Sequence, residues 1–130
     1  MELKELLDYQ EKLESRVNAY WTYWSVAVFA IAGWRFADKS QLSAPQTLGV
    51  AVGVMVFFCA NLGVLYPATK LVAAVRDEIR RKLQSSPDGV GPRLTQALSG
   101  DIGQTRLALT VSLHLAVDFC LLFVLLFTHK

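Results

Sequence analysis

The chain opens on leucines set among charges. Leu3, Leu6, Gln10, Leu13, Val17 and Tyr20 recur three and four residues apart, with Leu7 beside them, and Glu, Asp, Lys and Arg fill most of the positions between. Side chains at that spacing share one face of a helix, so residues 2–19 are predicted as an amphipathic helix. No Gly or Pro intervenes before the aromatic group Tyr20, Trp21, Tyr23 and Trp24, so the helix is expected to continue as one rod. From there the run Ser25 to Gly33 is almost wholly apolar, and Trp34 closes it. Aromatic rings flanking an apolar run suit the headgroup level of a bilayer, which makes residues 20–37 a first predicted span.

Arg35 and Lys39 end this segment. Ser43, Pro45 and Gln46 then read as a helix start: a hydroxyl to cap, a ring suited to the first turn and an amide to complete a capping box. Residues 46–66 contain no charged side chain and are long enough to cross the roughly 30 Å hydrocarbon layer. Gly49, Gly53, Val56, Ala60, Gly63 and Pro67 fall along one face. Such a stripe of small residues lets two backbones approach closely, so Gly49, Gly53, Ala60 and Gly63 are expected to pack a helix of the same chain or of a neighbouring subunit.

The periodicity survives Pro67. Val72, Val75, Ile79 and Leu83 keep an apolar seam, with Lys70, Arg76, Arg80, Arg81 and Lys82 around it. The second span is therefore expected to leave the bilayer as a basic amphipathic helix reaching residue 84. The turn-rich stretch 85–92 must stop it. A short helix over 93–98 is predicted next, then a capping box from Asp101 and Gln104, then a third span over 107–128.

These elements describe an all-α chain: one integral membrane domain, 1–130, built as a three-helix bundle with long cytoplasmic helical extensions. Segments 1–19 and 68–106 share one side of the membrane and hold Lys4, Lys12, Arg16, Lys70, Arg76, Arg80, Arg81, Lys82, Arg93 and Arg106. The other side holds Arg35, Lys39 and Lys130. The excess of basic residues places the first side, and the N-terminus, in the cytoplasm and the C-terminus opposite. The layout is common among small bacterial membrane proteins, so a bacterial inner membrane is the expected location. Residues 2–16 are rich in Glu and Asp and residues 70–82 in Lys and Arg, and the two helices run antiparallel. They are expected to pair as a stalk; the competing reading lays the basic helix flat on anionic lipid.

Composition narrows the classes. The chain is 53% hydrophobic, too apolar for an ordinary soluble domain of this size. A net charge of +2 gives no case for nucleic acid. The acidic, amphipathic start does not resemble a cleaved signal. Cys59 and Cys120 both sit in apolar runs with no metal spacing, and read as small apolar residues.

Chemistry has one candidate location. Thr110, His114 and Asp118 follow at four-residue spacing in the third span, on one helical face, and Asn61 of the second span lies at a depth to join them. Fourteen Leu, Val or Phe residues between 107 and 127 supply roughly −6 kcal/mol of insertion energy against about +2.5 to +3.5 for a central Asp. The span inserts, and the acid must face a partner or water. Residues 107–121 also alternate like a strand, but a lone strand leaves its backbone unpaired in lipid. The cluster has two readings: a conduction or proton path, or hydrogen bonds that fix assembly. One His and one Asp are too few for a metal site. No cofactor is implied, since His114 as a haem ligand has no other support. No nucleophile–base pair or phosphate loop points to an enzyme. The leading expectation is a self-associating assembly that conducts ions or protons through the cluster. The alternative is a non-conducting structural or adaptor subunit whose stalk docks a cytoplasmic protein.

Overall fold

In the computed structural model, residues 1–37, 42–85, 91–93, 96 and 103–127 are described. They form three helices and no strand: α1 (Leu3–Phe36), α2 (Ala44–Ser85) and α3 (Gly103–Phe127). The strand-like alternation of 107–121 is thus overridden by helix, as the backbone argument requires. α2 is the central element, packed against both α1 and α3, while α1 and α3 meet each other less closely.

The ends follow local chemistry. The Glu5 carboxylate accepts the backbone N–H of Glu2 at 2.8 Å and covers a donor that α1 leaves free. At the start of α2 the Gln46 amide oxygen accepts from the Ser43 backbone N–H at 2.9 Å and from its hydroxyl at 3.0 Å. Pro45 sits within the first turn, where its missing N–H costs nothing. Pro67 stands inside α2 without ending it. Two residues on, the Thr69 hydroxyl donates to the Leu65 carbonyl at 2.8 Å. Residues 86–90 of the turn expected at 85–92, most of the short helix over 93–98, and Asp101 of the second expected capping box lie outside the described residues; Ser85, Pro92, Arg93 and Gln96 are helical.

Two apolar cores hold the helices. In the charged half of the molecule, Leu6, Leu13 and Val17 of α1 mesh with Leu65, Val72, Val75, Ile79 and Leu83 of α2. This is the seam-to-seam pairing that the two amphipathic patterns predict. In the apolar half, Trp24, Val54, Phe58 and Leu125 bring all three helices together. α2 buries Thr47, Ala51, Val54, Phe58, Asn61 and Leu65, three or four residues apart, which is the spacing that keeps one seam turned to its neighbours.

That seam is not the small-residue stripe. Gly49, Gly53, Ala60 and Gly63 lie on the exposed face of α2. A Cβ built on Gly49, Gly53 or Gly63 would meet nothing within 4 Å. Within the chain the helices meet through the larger side chains, which bury more area. The close approach between backbones occurs elsewhere: a Cβ on Gly103 would stand 3.0 Å from that of Ala73.

α2 and α3 are each long and apolar enough to cross a membrane, and α1 is not in that class by the same measure. The reason lies in its composition. Tyr20, Trp21, Thr22, Tyr23, Trp24 and Ser25 precede the aliphatic run, and Arg35 follows it closely.

Candidate functional site

Between the two apolar cores lies a polar layer. Asn61 stands on the α2 seam between Phe58 and Leu65, and Thr110, His114 and Asp118 form consecutive turns of the inner face of α3. All four predicted residues are buried: Thr110 is 4% exposed, His114 0%, Asp118 8% and Asn61 7%. The four-residue spacing on α3 and the three-four spacing on α2 point their side chains at the same junction.

The groups form a hydrogen-bonded chain. The indole Nε1–H of Trp24 donates to Oδ1 of Asp118 at 2.8 Å. The second carboxylate oxygen, Oδ2, lies 3.2 Å from Nδ1 of His114. On the far side of the imidazole, Nε2 lies 3.4 Å from the amide Nδ2 of Asn61. The chain therefore takes one group from α1, two from α3 and one from α2. Its proton inventory is consistent in one direction. An amide N–H can only donate, so Nε2 accepts, Nδ1 carries the proton, and Asp118 accepts from both sides as a carboxylate. If the Asn61 amide turns its oxygen to the ring, Nε2 donates instead, and Nδ1 either donates as an imidazolium or accepts from a protonated Asp118. Among the described residues no buried side-chain polar atom lacks a partner.

Two indoles enclose the imidazole. The Trp24 ring centroid lies 4.4 Å from that of His114 and the Trp21 centroid 5.2 Å, and the two indoles meet edge to face at 5.2 Å and 89°. Trp21 and Trp24 thus pack around the imidazole, a role that the expected aromatic belt did not include. Tyr23 faces outward, whereas Trp24 is buried. Trp24 was legible in principle: it continues the α1 seam by one step of four from Tyr20. The donor role of its ring was not, because it depends on which α3 residue arrives opposite.

A second polar contact joins α1 and α3. Arg106 makes a two-pronged pair with Glu14, at 2.6 and 2.7 Å. Arg106 lies one step of four before Thr110, so it extends the same α3 face. The electrical match expected between acidic α1 and the basic run of α2 is met differently. Arg81 pairs with Glu78 of its own helix at 3.7 Å. Lys82 donates to the Met1 carbonyl. Lys70 stands over the Tyr66 ring at 5.6 Å, and Arg76 and Arg80 are half-buried beside the seam. Among the described residues, apolar packing and no ion pair joins α1 to the 70–82 segment.

Two clefts reach the polar layer from different sides. One, of about 290 Å³, is lined by Trp21, Thr105, Arg106, Leu109, Thr110 and Leu113. The other, of about 180 Å³, lies between α2 and α3 and includes Asp118 in a wall of apolar residues. Among the described residues no group of His, Cys, Asp and Glu is arranged to hold a metal ion. No protein family, curated protein or solved structure matches this chain.

Proposed function

We propose that the protein is a three-span integral membrane protein that acts as a non-conducting structural or adaptor subunit, with its charged two-helix half in the cytoplasm as a docking arm. The exposed surface supports three spans. Val26, Phe29 and Phe36 of α1 are 63%, 76% and 76% exposed, and Val52 and Val56 of α2 and Phe119 and Phe123 of α3 are exposed as well. Large apolar side chains exposed on all three helices are what lipid covers. α2, with 42 residues, is about 63 Å long at 1.5 Å per residue, so roughly half of it fits the hydrocarbon layer and the rest forms the arm. The basic residues concentrated at the arm's end favour the cytoplasmic side.

One observation carries the non-conducting reading: the ionisable groups of the apolar half are consumed inside a single copy. His114 and Asp118 bond to Asn61 and Trp24 of the same chain. Their hydrogen bonds are met without a neighbouring copy. A hydrogen-bonded chain drawn from three helices is well suited to locking their arrangement. In the arm, α1 and α2 spend their apolar seams on each other and leave Glu5, Asp8, Glu11 and Arg81 outward. A cytoplasmic partner would meet a charged surface.

A second reading is favoured by the two clefts. Thr110 lines one and Asp118 the other, with His114 sealed between them. This suits proton transfer through the imidazole within one chain, or between copies of an oligomer. The test combines particle mass with flux. The first reading predicts a detergent-solubilised particle holding one chain and no ion or proton flux in proteoliposomes. A ring of chains, with flux that Asp118→Asn abolishes, would overturn it in favour of the second.

A further inference from the structure

The cleft between α2 and α3 combines three features. Its walls are apolar: Met55, Leu62, Leu115 and Leu122, with the rings of Phe58 and Phe119. Its one charged residue is Asp118, and no Lys or Arg lines it. The hydrogen bonds that reach that carboxylate come from an indole N–H and an imidazole nitrogen. Among the described residues no Lys or Arg side chain pairs with that carboxylate, and its one ionisable neighbour is the His114 imidazole.

We propose that this cleft is a binding site for a compact organic ammonium ion, its charge set against Asp118 and its alkyl groups against Phe58 and Phe119. The inference rests on the three-span reading, which places the cleft in lipid. Each element follows from general chemistry. A carboxylate in low dielectric attracts a cation strongly. A metal ion would need several oxygen ligands, which these walls do not provide. An alkylammonium needs none, and is recognised by aromatic faces. The volume of about 180 Å³ is below the roughly 300–1,000 Å³ of drug-sized sites, so the ligand is small. A lipid acyl chain would fill the same groove but would have no use for the charge.

The probe is benzyltrimethylammonium, tested against its neutral isostere neopentylbenzene. The full chain is placed in phosphatidylcholine nanodiscs and labelled probe is measured by equilibrium dialysis, with empty discs subtracted. The proposal predicts saturable binding of one cation per chain, no displacement by neopentylbenzene, and affinity at least about tenfold lower in Asp118→Asn, as expected for loss of a charge partner in low dielectric. Leu62→Trp, which fills the cleft without touching the hydrogen-bonded chain, is expected to abolish binding while circular dichroism stays unchanged. Absence of saturable binding, equal binding by Asp118→Asn, or displacement by the neutral isostere would each overturn the site. A chain that does not enter the discs would contradict the three-span reading separately; the same titration in free solution then decides the site by the same outcomes.

Discussion

Replacing Trp24 by Phe removes an indole N–H and leaves an aromatic ring in place. The structure assigns this N–H to Asp118 Oδ1, at 2.8 Å inside the polar layer. A hydrogen bond to a charged group contributes about 1.5–3 kcal/mol in soluble proteins. Between helices in a bilayer the mean is nearer 0.6 and the maximum about 1.7 kcal/mol. The Trp24–Asp118 bond belongs at the upper end of the second range, because its acceptor is a buried carboxylate with few alternatives. The smaller ring also leaves a void, which adds a term of order 1 kcal/mol. Trp24→Phe is therefore expected to cost about 2–3 kcal/mol in total. A double-mutant cycle separates the parts. Asp118→Leu removes the acceptor while keeping a branched side chain of similar length, and the void persists in both backgrounds. The coupling energy between the two substitutions is expected at about 1–1.5 kcal/mol. The assay is reversible unfolding in mixed micelles, followed by helical circular dichroism. A coupling within about 0.3 kcal/mol of zero would mean that the two residues act independently, and the hydrogen-bonded chain would lose its first link.

Three further perturbations address other contacts. Arg106→Lys replaces a two-pronged contact with a point charge, and should cost about 0.5–1 kcal/mol in the same assay, with the difference shrinking in about 1 M salt; equal stability at low salt would contradict the pair with Glu14. Leu65→Ala empties a fully buried position beside the polar layer and should cost about 2–5 kcal/mol, whereas a loss below about 1 kcal/mol would mean that this core is not packed as described. Gly53→Ala puts a methyl group into open space and should stabilise the helix by up to about 1 kcal/mol; a loss of stability, recovered on dilution of the protein in detergent, would mean that the small-residue face packs against another copy.

What the sequence made legible follows from what kind of information each feature needs. The seams of the charged half could be read from one helix at a time, because Leu6, Leu13 and Val17 on one side and Val72, Val75, Ile79 and Leu83 on the other announce their faces by spacing alone. The inward direction of Thr110, His114 and Asp118 was equally local: a His and an Asp on a face of an apolar helix must point at something other than lipid. The identity of that something was not local. It required the offset between α1 and α3, which brings residues 94 apart, Trp24 and Asp118, into contact. The same offset carries Arg106 to Glu14, 92 positions away, and takes it beyond the reach of any argument based on net charge per segment. On α2 two faces competed. The glycine-bearing stripe has the smaller side chains, and the Ala51, Phe58 and Leu65 seam has the larger apolar area, and within one chain area prevailed.

The three-span reading depends most on α1, whose outward half is the least apolar of the three. Its passage through the bilayer is tested by single cysteines at exposed positions on either side of it, in a background with Cys59 and Cys120 replaced by Ala. Ser15→Cys and Gln84→Cys mark the ends of the charged half, and Ser43→Cys marks the connection between α1 and α2. In sealed right-side-out vesicles, a membrane-impermeant maleimide should label residue 43 from outside, and residues 15 and 84 only after permeabilisation. Labelling of residues 15 and 43 from the same side would mean that α1 does not cross.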